Sequence, residues 1–306
     1  MSLLTPAAVA AIDDLELAAR IVVEGARSGS HRSPFHGFTA EFSQHRPYRP
    51  GDDLKYLDWK LLGRTDRLYS RQFRESTSFS LMLVLDTSAS MRFPDASIGV
   101  SKFRYAAILV SALAWLVVGQ GDSVGLMSTT GDRLTYLPAK GGRPHLRALL
   151  ARIAPLEPAG AWALDRAIAR AADLLKRRGV VVVVSDFYDA SDSTFRELRR
   201  VARRGHDVAL LQVLSRQELD FPYAATLELE DLESGERRLV DADAAGRDYR
   251  SAVGEFLTRC RRQAHADGID YALLPTDVAP ARALRLYLLR REAAASAAQP
   301  PAGVRR

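Results

Sequence analysis

Cysteine is almost missing from this chain, with one residue, Cys260, in 306. That excludes an internal disulfide and any cysteine-rich metal site, and makes a reducing compartment the default. Cys260 falls in line with Tyr249, Val253, Phe256 and Ala264 on one helical face, a spacing that predicts packing rather than reactivity. Long hydrophobic runs are missing too. The longest, Ala106 to Val118, is shorter than the ~20 residues a membrane-spanning helix needs. The opening residues, Met1-Ser2-Leu3-Leu4-Thr5-Pro6, show no basic stretch leading into an apolar one. No secretory signal is read there, and a cytoplasmic location is expected. The chain holds no Gly-x-x-x-x-Gly-Lys phosphate loop, dinucleotide glycine fingerprint, His-Glu-x-x-His or Gly-x-Ser-x-Gly. It is therefore not expected to hydrolyse ATP itself. No internal repeat stands out.

What is present is ordinary for a globular protein: 47% hydrophobic and 26% charged residues. The length suits a sizeable core in one large or two smaller domains. Net charge is +6, a balance that permits contact with nucleic acid. Yet the cations are interspersed with carboxylates, and Arg199-Arg200 and Arg203-Arg204 close a helix where the macrodipole favours them. A solvated face is the better reading, and nucleic acid is not an expected partner.

Residues 6 to 26 read as a helix capped by Thr5, with Pro6 in its first turn and an apolar stripe of Ile12, Leu15, Ala19 and Val22. Residues 30 to 66 lack periodicity, and 68 to 73 suit an edge strand. From Thr77 onward strands and helices alternate. Strand 79–85 leads to a nearly all-apolar helix at 102–119, and a short turn then forces 123–128 and 133–137 into an antiparallel pair. Helices near 143–154 and 163–178 precede five consecutive valines, Val180 to Val184, which read as a strand buried on both faces. Next come a helix at 192–204, a strand at 208–214 and a hairpin near 226–240. A helix at 243–266, a strand at 271–274 and a helix at 280–291 complete the core, and the tail 292–306 is expected to be disordered. The fold class is α/β: a Rossmann-like doubly wound, mostly parallel sheet with an N-terminal helix-plus-loop segment. Three regions are expected, 1–76, 77–291 and the tail 292–306.

Such sheets bind ligands beyond the carboxyl ends of strands, where strand order reverses. Asp86-Thr87-Ser88-Ala89-Ser90 directly follows strand 79–85 and offers a carboxylate and two hydroxyls at i, i+2 and i+4. Hard oxygen ligands of this kind suit Mg²⁺. Ser185-Asp186 follows the valine strand in the same way. Neighbouring strands would bring Asp86 and Asp186 together, although a helix N-cap also accounts for Asp186. This Asp-x-Ser-x-Ser resembles the metal-ion-dependent adhesion site of von Willebrand factor A (vWA) domains. The resemblance implies Asp86, Ser88, Ser90 and Asp186 as metal ligands. It also implies a threonine from a second loop, where this chain reads Pro158-Ala159-Gly160-Ala161-Trp162-Ala163 and has Ala161 or Trp162 instead. Two readings stay open: weak Mg²⁺ binding, or polar groups that merely hold the loop.

A second set of motifs lies upstream: Ser30-His31-Arg32-Ser33-Pro34-Phe35-His36-Gly37, Glu41-Phe42, Tyr48-Arg49-Pro50-Gly51-Asp52-Asp53 and Leu57-Asp58-Trp59. In this order, before a vWA-like region, they resemble the signature of bacterial domain-of-unknown-function family 58, over roughly residues 25 to 290. The resemblance implies a MoxR-type AAA+ ATPase as partner and a chaperone-like role in assembly or maturation. Read on its own, Pro50-Gly51 suits a type II turn. His31, His36 and His45 with Asp52, Asp53 and Asp58 lack the spacing and orienting partners of a catalytic centre, and packing of this segment on the vWA-like domain is expected instead. The leading expectation is a non-enzymatic interaction protein, in which a partner's carboxylate completes a Mg²⁺ shell. The rival is a metal-dependent hydrolase, a phosphoesterase or nuclease, built on the same carboxylates.

Overall fold

A computed structural model describes residues 4–26, 39–48, 57, 59–65, 67–76, 79–130, 133–161, 164–175, 178–232 and 235–298. The chain forms two compact units, one of residues 1–34 with 80–306 and one of residues 35–79. The smaller unit ends close to the expected boundary at residue 76, while the N-terminal helices group with the sheet.

Those helices are two rather than one: α1 (Pro6–Ala10), capped by Thr5, and α2 (Leu15–Ala26). The break has a local cause. Asp14 Oδ1 accepts the backbone N–H groups of Glu16 and Leu17, starting a second helix with its own cap. In the smaller unit, β1 (Thr39–Pro47) precedes α3 (Trp59–Thr65) and pairs antiparallel with β2 (Tyr69–Ser76). Leu57 bridges Ser70. Of these three elements only β2 is expected from the sequence, since residues 39 to 65 alternate too weakly to announce a strand or helix. The turn residues Pro50 and Gly51, and His31, His36, Asp52, Asp53 and Asp58 of the same segment, lie outside the described residues.

The larger unit continues with β3 (Ser80–Leu85), a 3-10 turn at Ala89–Arg92, and the short strands β4 (Pro94–Asp95) and β5 (Val100–Ser101). Then come α4 (Lys102–Gly119), β6 (Ser123–Thr130), β7 (Arg133–Lys140), α5 (Arg143–Ile153), α6 (Leu164–Leu174) and β8 (Val180–Ser185). Next are α7 (Asp192–Arg203), β9 (Asp207–Leu214), α8 (Arg216–Asp220), β10 (Thr226–Glu230) and β11 (Arg237–Asp241). The unit ends with α9 (Ala242–Ala266), β12 (Asp270–Pro275) and α10 (Pro280–Ala298). The last helix runs past Arg291 through Ala298, so the expected disorder of 292–298 is corrected. Alanine is the strongest helix former and extends the helix it follows.

Six strands form one sheet in the order β12-β9-β8-β3-β6-β7, parallel except for β7 at the edge. Read from β7, the strands follow the doubly wound sequence 3-2-1-4-5-6, reversing direction of travel between β3 and β8. This is the expected doubly wound, mostly parallel α/β sheet. The pleat sends Met82 and Val84 of β3, with Val181 and Val183 of β8, into a core shared with α6, α7 and the Cys260–Ala264 part of α9. Burial pushes the Cys260 thiol up to about 11, as its packing role predicts. On the other face α4 packs across β3, β6, β8 and β9, and α2 and α10 pack behind it. By length and composition α4 is a helix long and apolar enough to cross a membrane, but here it is buried by the fold around it. Gly179 is needed for close approach: a Cβ there would lie 2.4 Å from the Ser80 carbonyl oxygen, where β8 begins beside β3.

Candidate functional site

The two aspartates singled out by sequence meet at the carboxyl end of the sheet. β3 and β8 are parallel neighbours with Leu85 opposite Val184, so Asp86 and Asp186 leave the sheet side by side. The backbone N–H of Asp86 still donates to the Val184 carbonyl, 3.0 Å away. Both side chains are completely buried.

Asp86 is held by its own loop and by β8. Its Oδ1 accepts the Ser88 N–H at 2.9 Å, and its Oδ2 accepts the Ser185 hydroxyl at 2.6 Å. Ser88 and Ser90 hydroxyls share a hydrogen bond of 3.1 Å. Burial, reinforced by the neighbouring Asp186 charge, pushes the Asp86 carboxyl up to about 6. The loop before α6 closes over this turn: Ala159 N–H donates to the Thr87 carbonyl, and Ala89 N–H donates to the Gly160 carbonyl. Ala161, one of the two residues aligned with the vWA threonine, is exposed, and Trp162 lies outside the described residues.

Asp186 has a partner that sequence reasoning missed. The Lys102 ammonium, at the start of α4, donates to Asp186 Oδ2 at 2.7 Å and to Glu218 Oε1 at 2.6 Å. Lys102 is 1% exposed. It also sits 4.8 Å from the centre of the Tyr188 ring and 5.9 Å from that of Phe93, so π faces border its remaining side. Burial works against its charge, but Asp186 and then Glu218 outweigh that and hold the ammonium above its ordinary value.

Both carboxylates are themselves fixed. Glu218 Oε2 accepts the Ser215 N–H at 2.7 Å and Ser215 Oγ accepts the Glu218 N–H, a capping box at the start of α8. Asp186 Oδ1 accepts the Tyr188 N–H, and its carbonyl accepts Gln212 Nε2 at 2.7 Å. Tyr271 donates to Gln212 in turn. Phe187, next to Asp186, has φ of 61°, a left-handed conformation uncommon outside glycine that turns the chain sharply at the strand end.

Two signals for this arrangement were legible. Ser215-x-x-Glu218 is a capping-box pattern. Lys102 stands in the first turn of α4, where the helix dipole disfavours a cation.

A hydrated Mg²⁺ needs open positions for water as well as oxygen donors. Asp86, Ser88 and Asp186 are 0%, 2% and 0% exposed, every carboxylate oxygen already accepts a hydrogen bond, and an ammonium occupies the Asp186 side. The arrangement as it stands does not fit that ion. Among the described residues no group of three or more His, Cys, Asp or Glu is placed to hold a metal. Three arginines at the end of α7 pair with carboxylates: Arg199 with Asp267, Arg200 with Glu197 and Arg204 with Asp173.

Comparison with known proteins places the chain in a family. An uncharacterized protein of Mycobacterium tuberculosis, Rv1480, is 33% identical over 249 residues, covering 79% of this chain and 76% of its own. Among solved structures, the conserved hypothetical protein BatB from Bacteroides thetaiotaomicron aligns over 70% of this chain and 98% of its own, at 15% identity and a TM-score of 0.47. An aerotolerance-related membrane protein from Bacteroides fragilis aligns over 70% and 100%, at 18% identity and the same TM-score of 0.47. The family model described as "Protein of unknown function DUF58" matches residues 44–259. The chain belongs to the DUF58 family.

Proposed function

We propose that this chain is a non-enzymatic protein-interaction module that docks partners on the strand-end rim of its vWA-like sheet. Its partner is a MoxR-type AAA+ ATPase, and the pair acts in chaperone-like assembly or maturation. The observation that carries the docking site is the reversal between β3 and β8, which sets the 86–92 and 186–191 loops next to each other. Ligand sites of open α/β sheets favour that position. On this rim Ser90 is half-buried and Arg92 and Asp189 are exposed, a position from which they can meet a partner. The identity of the ATPase rests on the family resemblance alone.

The test is binding of the purified MoxR-type ATPase encoded nearest this gene, measured by biolayer interferometry without added nucleotide. Ser90→Arg and Asp189→Arg should each weaken association by about tenfold or more, the effect of losing a central interface contact. Arg262→Glu, on the exposed side of α9, should leave it unchanged. Equal affinity for all three would remove the rim from the interface, and no association with the wild-type chain would remove the ATPase.

A further inference from the structure

We infer that Lys102 is the resident cation of the strand-end site, standing in for a divalent metal, so that this chain's adhesion-type loop is built to work without one. Asp86 lies beside Asp186, and Asp186 and Glu218 both reach the Lys102 ammonium; buried carboxylates left without a cation are unstable away from water. Lys102 supplies that cation from within the fold, contacting Asp186 and Glu218 at 2.7 and 2.6 Å. The pairing is prepared on every side. The Ser215 backbone orients Glu218, the Tyr188 backbone and Gln212 hold the Asp186 segment, and Tyr188 covers the ammonium.

An ammonium has three donors and no acceptor, so this one is used on two carboxylates and a π face. Asp186 is thereby withdrawn from metal coordination. The Asp86–Ser88–Ser90 turn keeps its shape through hydrogen bonds to Ser88 N–H and Ser185 Oγ, with no ion needed to organise it. This assignment concerns the protein alone and does not depend on the docking partner.

Isothermal titration of the full wild-type chain with MgCl₂ and with MnCl₂ should give no saturable binding. Lys102→Ala opens the space of the side chain and frees two carboxylates. Millimolar Mn²⁺ should then raise its melting temperature by about 5 °C or more, as a ligand selective for the folded state does. The same ion should leave the wild type unshifted. Stoichiometric binding to the wild type that Asp86→Ala abolishes would overturn the inference, and so would a folded Lys102→Ala that ignores Mn²⁺. If Lys102→Ala folds only when Mn²⁺ is present, the inference gains support. If it folds under neither condition, the wild-type titration decides.

Discussion

Lys102→Met should lower the unfolding free energy by about 3–5 kcal/mol at pH 7.5, the usual result of removing one partner from a buried ion pair. The methionine chain fills most of the lysine volume, so the loss reads the charge rather than a cavity. What remains is two buried carboxylates, Asp186 and Glu218, whose ammonium was 2.7 and 2.6 Å away. Adding Asp186→Asn and Glu218→Gln to Lys102→Met should restore part of the lost stability at neutral pH, because no charge is then left unpaired. Urea denaturation of the three proteins checks this. A single-variant loss below about 1 kcal/mol, the range of an exposed pair, would mean that the contact is not made in solution.

The second large effect belongs to Asp86. Its carboxyl is pushed from an ordinary 3.8 up to about 6 by burial and by the Asp186 charge, so the folded protein holds this proton more tightly than the unfolded chain. The group therefore contributes stability that is complete below about pH 4 and lost as pH rises through about 6. The shift corresponds to about 3 kcal/mol. Asp86→Asn does not titrate and should flatten this part of the stability–pH curve, whatever its effect on absolute stability. Parallel urea midpoints from pH 4 to 7.5 for the two proteins measure the difference. Curves of the same shape would show that Asp86 ionises at its unperturbed value.

Much of this architecture could be read directly from residues. The five valines of β8 and the apolar run of β3 are too short and too continuously hydrophobic for anything but central strands, and their ends place Asp86 and Asp186. The sharp β6–β7 connection fixes the antiparallel edge, and strict alternation fixes the β10–β11 hairpin. The failures have physical causes. β1 and α3 lack a repeating apolar face. Asp14, which splits the N-terminal helix, lies inside a stripe that looks continuous. An alanine-rich tail carries a composition of disorder but the propensity of helix.

At the site, the carboxylates were legible because each ends a strand, whereas their cation was not. Lys102 meets Asp186 and Glu218 across separations of 84 and 116 residues, a closeness that only the packed sheet creates. A lysine in the first turn of α4, against the dipole, was a local hint. Metal chemistry was the natural expectation from Asp-x-Ser-x-Ser, and the charge balance of the folded rim leads elsewhere.

The most direct measurement is a crystal structure of the wild-type chain grown and soaked in MgCl₂, at a resolution that distinguishes an ion from water. The account predicts the Lys102 ammonium between Asp186 and Glu218, with no octahedral density at Asp86, Ser88 and Ser90. A Mg²⁺ coordinated by those residues, with Lys102 swung away from Asp186, would contradict it.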